Sequence, residues 1–372
     1  MIRQIHINNF RNHANLRITI PDDRRMVVLY GENGIGKTNV LEAISLFFTS
    51  NGLRKAKYED LICRDTEQNH WSIRIEANAG TFFSGYIRDT NFGKRVYKIN
   101  EKSIRNLEEF QKEHYILWMT YETDRLFMQA PSYRRDFIDM FCNVVNQVHA
   151  QNIKDYEKLT KERLKILKKY CERGITADIS KWLDILEAKI ADFGLQIATE
   201  RSRMASTLEQ YQIRSGEFPL FKSQMIGGVE TEILKSDNSI EAYKIELCNR
   251  RQKDGFAGAT TLGANRSDWL VTHEEKHIEA SQCSAGEQKM LILAIFFAFI
   301  LHNIKNDKRS LIILLDDVVT HLDTNHRNLL SRYIKTLISQ SSNISVWLTG
   351  TDKEPFNELS MDALFIDMAT KN

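Results

Sequence analysis

The stretch MVVLYGENGIGKTNVLEAISLFF, residues 26–48, carries the clearest structural pattern of this chain. Its first five residues form a continuous apolar run, which is typical of a strand covered on both faces of a sheet. After a glycine-rich turn, apolar residues recur at helical spacing at Val40, Leu41, Ile44, Leu46 and Phe47. A buried strand, a glycine turn and a helix in this order predict an α/β domain.

The turn fits the pattern G-x-x-x-x-G-K-[ST] between a strand and a helix. In such a loop, glycines let backbone N–H groups close around phosphates, and the helix N-terminus adds its dipole. Lys37 would neutralise the β- and γ-phosphates of ATP, and the Thr38 hydroxyl would bind Mg²⁺. The nucleotide-binding residues predicted for this segment are Gly31, Glu32, Asn33, Gly34, Ile35, Gly36, Lys37, Thr38 and Asn39.

A second candidate follows the apolar strand LIILL at residues 311–315, where Asp316 and Asp317 stand next to each other. Ligands bind at the carboxyl ends of strands in an open α/β sheet. We therefore expect Asp316 to hold Mg²⁺ directly or through water, and Asp317 to orient or deprotonate the attacking water. An apolar strand that ends in aspartate is commonly structural, and only its pairing with Lys37 and the glycine loop gives a catalytic interpretation.

The segment CSAGEQ, residues 283–288, opens a long apolar helix. A serine followed three residues later by glutamate is also a capping box, so the structural interpretation carries weight. Both interpretations can hold, because an exposed helix N-terminus with a hydroxyl and glycine amides is a phosphate-binding surface. One subunit needs only one such surface for its own ATP, so Ser284, Gly286 and Gln288 are predicted to cover the γ-phosphate bound by another subunit.

Composition bounds the class of protein. The 372 residues are 42% hydrophobic and 27% charged, which predicts a folded chain of about two domains. The net charge of +2 gives no overall attraction to DNA or to an anionic membrane, so any nucleic-acid site must be a local patch. Five scattered cysteines without a CxxC pair predict reduced, mostly buried thiols, with no zinc site and no disulfides.

The chain is predicted to be cytoplasmic and without membrane contact. No apolar stretch follows its first charged residues, as a signal peptide would require. The longest apolar run, residues 290–301, is too short for a bilayer core of about 30 Å and is better interpreted as a buried helix.

The pattern along the chain predicts three segments, at residues 1–143, 144–226 and 227–372. The first contains short strands between residues 71 and 99, interrupted at Gly80, Gly85 and residues 91–93. The α/β pattern resumes in the third, with strands at residues 311–315 and 344–348 and a helix near residues 325–338.

The middle segment is predicted to be helical. Residues 174–178 favour the turn of an antiparallel helical hairpin, and the second helix, residues 179–211, would be roughly 50 Å long. It would form either a projecting arm or a packed helical subdomain. Its predicted seam, at near-heptad spacing, is Ile179, Trp182, Leu186, Ile190, Phe193 and Ile197.

These motifs, in this order and spacing, resemble the ABC-type ATPases of the SMC and RecF group, and most closely the RecF family. The resemblance spans the whole chain. It implies an α/β fold, an ABC-type P-loop ATPase domain with an inserted α-helical arm domain, and it adds Arg11, Asn12 and Asp323 to the ATP-binding residues. The similar segments are FRN at residues 10–12, GENGIGKTNVLEAI at 31–44, RRDFID at 134–139, LLDDVVTHLD at 314–323 and TGT at 349–351.

The resemblance also implies a function in recombinational DNA repair and replication-fork maintenance. Such a protein would form a homodimer on binding ATP, engage double-stranded DNA near single-strand gaps, and hydrolyse ATP slowly to let go. It would act with RecR and RecO in loading RecA. The family's GPHRDD segment departs here to GANRSD at residues 263–268, which lacks the Pro, the His and the first Asp, so the role of that His does not carry over.

The residues that contact DNA are not assigned by the sequence, because short basic clusters are usually solvated surface. The candidates are Arg54 with Lys55 and Lys57, Arg134 with Arg135, and the run Lys161, Arg163, Lys165, Lys168 and Lys169.

Three other classes of protein share part of this pattern. A transporter ATPase would share the three motifs but lack the opening strand and FRN element. A nuclease-linked ATPase would need a separate cluster of His and carboxylates. A pure interaction module is disfavoured because Lys37, Thr38, Asp316 and Asp317 are all present.

Overall fold

The computed structural model describes residues 1–49, 52–64, 66–88, 93–105, 107–170, 172 and 174–370. The strands are β1 (Ile2–Phe10), β2 (His13–Thr19), β3 (Met26–Tyr30), β4 (His70–Ala77), β5 (Gly80–Arg88), β6 (Gly93–Ile99), β7 (Lys102–Ile104), β8 (His114–Met119), β9 (Phe221–Ile226), β10 (Asp268–His273), β11 (Ile278–Glu279), β12 (Ser310–Leu315), β13 (Ile344–Gly350) and β14 (Ala363–Asp367). The helices are α1 (Lys37–Ser45), α2 (Glu108–Glu113), α3 (Pro131–Val145), α4 (His149–Tyr170), α5 (Ala177–Gln210), α6 (Ser239–Asn249), α7 (Arg251–Ala257), α8 (Ala285–Asn306) and α9 (Thr324–Gln340).

The chain forms two compact units. Unit 1 combines Met1–Thr123 with Asn306–Asn372, and unit 2 is Asp124–Lys305. These limits differ from those of the three predicted segments. Unit 2 contains the predicted helical segment, residues 144–226, together with residues 124–143 and 227–305. The assignment of the segments to two ATPase halves and an arm stays a prediction.

A parallel sheet of five strands, in the order β14-β3-β13-β12-β8, forms the core of unit 1. Met26, Val27, Val28 and Leu29 of β3 are all buried, as the continuous apolar run predicts. Strand β13 lies between β3 and β12 and pairs with both in parallel. The turns after β3, β13 and β12 therefore meet at one edge of the sheet, and this edge brings the glycine loop close to Asp316 and Asp317.

An antiparallel sheet of six strands, in the order β2-β1-β4-β5-β6-β7, completes the sheets described in unit 1. The predicted break at Gly85 is wrong, since this residue lies inside β5 and pairs with Ser72 and Val96. A Cβ atom at Gly85 would lie 3.0 Å from the Phe83 ring and 3.3 Å from the Trp71 carbonyl oxygen. Glycine here serves close approach rather than a turn. Of the break predicted at residues 91–93, only Gly93 lies within the described residues, where it begins β6.

Helices α4 and α5 form the predicted hairpin of unit 2, and α5 packs against α3, α4, α6 and β9. It begins at Ala177, so Asp178 belongs to the helix rather than to the turn. Trp182, predicted for the apolar seam, is 47% exposed, and Leu183 is buried instead. Helix α5 is thus packed from residue 183 to residue 208.

Buried and partly buried ion pairs hold unit 2 together and remove two residues, Arg163 and Arg134, from the basic clusters. Arg163 is fully buried and donates to Glu187 and Asp254, at 2.7 Å each. Arg134 makes a two-bond ion pair with Asp268, also at 2.7 Å.

The neighbouring Arg135 donates to the Ser267 carbonyl oxygen at 2.6 Å. The segments RRDFID and GANRSD therefore bind each other, and Arg134 and Arg135 have a structural role instead of forming a solvated surface.

Two groups of potential metal ligands gather in unit 2, but arginines already neutralise their carboxylates. Asp139, close to Cys142 and His149, accepts two bonds from Arg201 at 2.7 Å each. Glu187, in the second group, accepts from Arg163 and Arg251.

Cysteines 63, 142 and 283 are buried as expected, Cys248 is exposed, and Cys171 lies outside the described residues. Helix α8 is long and apolar enough to cross a membrane by length and composition alone. However, 72% of its most apolar 18-residue window is buried inside the protein, as in a core helix.

Candidate nucleotide-binding site

A cavity of about 280 Å³ lies at the edge of the parallel sheet in unit 1. The glycine loop after β3, the Asp pair after β12 and the end of β13 all contribute to its wall. The lining residues are Asn33, Gly34, Gly36, Lys37, Thr38, Asn39, Arg54, Tyr121, Asp316, Asp317 and Thr349. The structure thus brings together the two motifs that the sequence placed at opposite ends of the chain.

The loop requires glycine at position 36 for two reasons. Its φ of 106° lies in the left-handed region, where residues with a Cβ atom are strained. A Cβ atom would also come within 2.5 Å of the Asn12 Oδ1 and of the His13 ring. The backbone at the start of α1 is therefore open to a ligand on one side and closed by the FRN element on the other.

Lys37 lies at the mouth of the loop and is only 7% exposed. Its ammonium group donates to the carbonyl oxygens of Gly31 at 2.5 Å and Glu32 at 2.9 Å. Burial lowers the pKa of Lys37, while the carboxylates of Asp317 and Asp316 act in the opposite direction. The charge of Lys37 is thus held where the β- and γ-phosphates of a nucleotide would lie.

Asp316 forms the base of the cavity and is bonded to two hydroxyl groups. Its Oδ1 accepts from Thr38 Oγ1 and from Thr349 Oγ1, each at 2.8 Å. Burial raises the pKa of Asp316, against the lowering effects of the two threonines and of Arg54. A buried carboxylate beside a threonine hydroxyl is an oxygen donor set that suits Mg²⁺, which keeps most of its other ligands as water and phosphate. Thr38 and Asp316 therefore fit the ion.

Asp317 is positioned by its backbone as well as by its neighbours. Its φ of 58° lies in the left-handed region, which is uncommon for a residue other than glycine. Its N–H donates to Thr349 Oγ1 at 2.9 Å, so one threonine holds both aspartates. Thr349 was missed as a site residue by the sequence analysis, although the TGT resemblance at residues 349–351 was a signal for it.

The FRN element reaches the loop through Asn12. Its side chain donates to the Gly34 carbonyl oxygen at 3.2 Å and accepts from Asn39 at 2.6 Å. Arg11 instead makes a two-bond ion pair with the buried Glu42, at 2.8 Å for each bond. Asn12 is thus hydrogen-bonded to the glycine loop, while Arg11 attaches the FRN element to α1.

Arg54 is the second residue whose place sequence reasoning missed. The sequence places Arg54 in a basic surface cluster, yet it lines the candidate cavity and donates to Asn39 Oδ1 at 2.9 Å. Tyr121 lines the same cavity. No local pattern marks either residue, because Arg54 lies in a turn and Tyr121 begins a short 3-10 helix, both outside the two motifs.

The signature segment lies in unit 2, at the start of α8. The predicted capping box is formed, since the Ser284 N–H donates to Glu287 Oε2 at 2.8 Å and the Glu287 N–H to Ser284 Oγ at 3.4 Å. Gln288 is buried and donates to the Cys283 carbonyl oxygen at 2.8 Å. Gly286 is exposed, and no heavy atom lies within 4 Å of where its Cβ atom would be.

Asp323 is the N-cap of α9 in unit 1. Its side chain accepts from the His326 N–H at 2.9 Å and contacts the His326 ring at 2.8 Å. These bonds lower the pKa of Asp323. Its predicted part in ATP binding stays a prediction.

Comparison with known proteins identifies the family. A family model described as the RecF/RecN/SMC N-terminal domain matches residues 1–361. A DNA replication and repair protein RecF from Rickettsia bellii is 34% identical over 374 residues, with 99% of both chains covered. A protein of the same name from Rickettsia akari is 35% identical over 372 residues, again with 99% of both chains covered. The chain belongs to the RecF family.

Solved structures show that the fold of this RecF-family chain is that of the ABC-type ATPases. A structure of the recombination mediator protein RecF with ATPrS has a TM-score of 0.80 at 20% identity, covering 99% of this chain and 96% of that one. A structure of RecF with ATP has a TM-score of 0.76 at 22% identity, covering 95% and 92%. An Smc head domain from Pyrococcus furiosus has a TM-score of 0.51 at 14% identity, covering 99% and 93%. The predicted fold class is confirmed.

Proposed function

We propose that this RecF-family protein is an ATP-dependent DNA-binding protein of recombinational repair and replication-fork maintenance, and that it is a slow ATPase. The observation that carries the ATPase is the convergence of Lys37, Thr38, Asp316 and Asp317 in one cavity. Residues 1–143 and 227–372 would be the two halves of the ATPase domain, and residues 144–226 its arm. We place the protein in the cytoplasm.

The chemistry follows from the position of each side chain. Lys37 would bind the β- and γ-phosphates, and Thr38 and Asp316 would hold Mg²⁺, which neutralises phosphate charge when bound. Asp317, beside Asp316 and fixed through Thr349, would orient the attacking water or accept its proton. The transporter alternative is not favoured, because the chain belongs to the RecF family and opens with a strand and FRN element that contact the phosphate loop.

The test of this assignment is Asp317→Asn. Asparagine tolerates the left-handed backbone at this position and keeps the shape of the side chain, so the fold and ATP binding should persist. We expect turnover to fall at least about a hundredfold, as for removal of a catalytic base, while ATP stays bound. Turnover and ATP retention are measured on the same sample. Wild-type turnover in the variant would refute the role of Asp317.

We also propose that ATP joins two subunits, with Ser284, Gly286 and Gln288 of each capping the ATP of the other. Support comes from the open surface at Gly286 and from the phosphate-binding role already filled by the loop of the same chain. Lys37→Arg keeps charge but misplaces it, and Ser284→Arg would block the capping surface. Mixing the two inactive variants should restore one intact site per mixed dimer. No recovery at any mixing ratio would count against the shared site.

The proposed partner of the ATP-bound dimer is double-stranded DNA near single-strand gaps. The relatives named DNA replication and repair protein RecF support this partner, and the RecFOR pathway named for the solved RecF structures supports RecR and RecO, and through them RecA. Since the net charge is only +2, affinity should depend on bringing the basic patches of two subunits together. Binding should be strong with ATP in Asp317→Asn, weak with ADP and steeply salt-dependent. Equal affinity in all nucleotide states would contradict the proposal.

A further inference from the structure

Unit 2 contains a cavity of its own, of about 320 Å³, between α4 and the loop that leads into the GANRSD segment. This volume is at the lower end of the range of about 300–1,000 Å³ that small-molecule sites occupy. Residues 258–260 and 265–266 form one wall, and one face of α4 forms the other. The lining side chains include Tyr156, Glu157, Leu164, Thr260, Asn265 and Arg266.

Several polar groups of this cavity can donate hydrogen bonds, while Glu157 adds one carboxylate to its wall. Thr260 is 3% exposed, and its buried Oγ1 has no hydrogen-bond partner among the described residues. Asn265 Oδ1 accepts from the Tyr156 hydroxyl at 3.1 Å, so its amide N–H groups are the part that a ligand would meet. Arg266 lines the cavity and donates through Nε to the Thr260 carbonyl oxygen at 2.8 Å. A ligand that offers oxygen and nitrogen acceptors would satisfy these groups.

The walls between these polar groups are apolar. Leu164 and the ring of Tyr156 line the cavity, and Ala259 lies on the opposite wall. A flat, acceptor-rich ring system therefore suits the cavity better than a free inorganic anion, which would leave the apolar surface uncovered.

A row of exposed lysines runs along the same face of α4. We call it the α4 lysine row, and its members are Lys154, Lys158, Lys161, Lys165 and Lys168. The spacing alternates between four and three residues, so the row follows one helix face for roughly 21 Å. Lys161 is both in the row and in the cavity wall.

Acidic side chains only partly offset the row. The Glu157 Oε2 atom lies 3.7 Å from Lys161 Nζ, which is a long distance for an ion pair, and both side chains are exposed. Glu162 lies beside the row. Exposed pairs of this kind contribute little and are screened by salt. The lysines outnumber these two carboxylates, so the row is net positive, and its middle member Lys161 lies in the cavity wall.

We infer that the cavity accepts one unstacked nucleotide of a DNA strand whose phosphates lie along the α4 lysine row. The lysines would follow the phosphates, and the donors of Thr260, Asn265 and Arg266 would meet the acceptor edge of the base. A base inside a duplex is stacked and cannot enter, so the nucleotide comes from a single-stranded extension or an unpaired end. This inference rests on the proposed DNA-binding function and names a site for it.

The experiment uses the full chain with ATP and a duplex that carries a single-stranded extension containing 2-aminopurine. Thr260→Val removes the buried hydroxyl at nearly constant shape, and Asn265→Leu fills the cavity with an apolar side chain. We expect both variants to keep the affinity for blunt duplex, to lose the 2-aminopurine fluorescence change, and to bind the extension about threefold to tenfold more weakly. If Asn265→Leu fails to fold, Thr260→Val still carries the test.

The row is tested by Lys158→Gln combined with Lys165→Gln, and the matched control is Lys244→Gln on α6, where the lysine is paired with Glu241. The double variant should reduce the slope of log affinity against log salt by about 0.7 to 0.9 for each phosphate that is no longer neutralised. The control should keep the wild-type slope. Melting temperatures verify that every variant is folded.

Each contrary outcome has a distinct meaning. If wild-type protein with ATP binds no DNA at all, the proposed DNA-binding function is overturned. If it binds the extended duplex but the cavity variants leave the fluorescence change intact, the nucleotide site is overturned, even where the row variant alters the salt slope. If the row variant matches Lys244→Gln, the row does not contact phosphates and this inference is also overturned.

Discussion

The two helix starts that carry the predicted phosphate-binding motifs differ in whether the folded unit itself requires their glycine. At Gly36, before α1 in unit 1, the left-handed backbone and the contacts with Asn12 and His13 exclude a side chain. At Gly286, in the first turn of α8 in unit 2, the surface is exposed and a Cβ atom would meet nothing within 4 Å. The first glycine is required by the folded unit itself, and the second is not.

The folded unit by itself gives no reason for glycine at position 286. Glycine inside a helix costs about 1 kcal/mol relative to alanine. Nothing among the described neighbours of Gly286 offsets that cost, while the capping box of Ser284 and Glu287 would form equally well beside alanine. The glycine therefore fits close approach by something outside the chain, as the proposed ATP-bound dimer demands.

The largest effect is expected for Gly36→Ala. The left-handed backbone and the 2.5 Å approach to Asn12 and His13 would distort the loop, at about 1–3 kcal/mol of strain. ATP affinity should fall at least about tenfold, as measured by calorimetric titration, since 1.4 kcal/mol corresponds to about a factor of ten. The matched control is Gly34→Ala, which shares a positive φ of 84° but has open space around the added atom and should lose less. Equal losses in both variants would mean that crowding at Gly36 is unimportant.

Gly286→Ala should separate stability from activity. Alanine favours the helix, so thermal stability should stay the same or rise by up to about 1 kcal/mol. Turnover should nevertheless fall about tenfold or more, because the methyl group would obstruct the ATP of the other subunit, and raising the barrier by about 1.4 kcal/mol slows a reaction about tenfold. Melting curves and ATP turnover are compared on one preparation. Full turnover in this variant would remove the contrast between the two glycines.

The smallest effect concerns the cap itself. Ser284→Ala should lower stability by about 1 kcal/mol near neutral pH. The Lys276 ammonium and the Ser284 backbone N–H lower the pKa of Glu287 to about 2, whereas glutamate in an unfolded chain titrates near about 4.3. A carboxylate whose pKa is lower in the folded protein than in the unfolded chain stabilises the fold when it is ionised. The contribution of Glu287 to the free energy of unfolding is therefore complete above about pH 4.3 and diminishes as the pH falls toward about 2. Denaturant unfolding across this range measures it, and a pH-independent difference between wild type and Glu287→Gln would contradict it.

The sequence by itself determined the elements whose signals are local. The run before Gly31 forms a buried strand, Lys37 opens a helix, and the apolar residues before Asp316 form another strand of the same sheet. It also determined the capping box at Ser284 and the family. Each structural signal lies within a few residues of chain, where periodicity, glycine placement and side-chain capping act directly on the backbone.

Tertiary packing determines which distant residues complete the site and which predicted candidates lie elsewhere. Thr349 joins Asp316 and Asp317 because β13 lies between β3 and β12, and the order of strands in a sheet is not written in any one strand. Arg54 enters the nucleotide-binding cavity from a loop, while Arg134 is engaged by Asp268 in a partly buried pair. Basic residues look alike in sequence, and Asp268 lies 134 positions from the arginine it binds, so pairing and burial are fixed by packing alone.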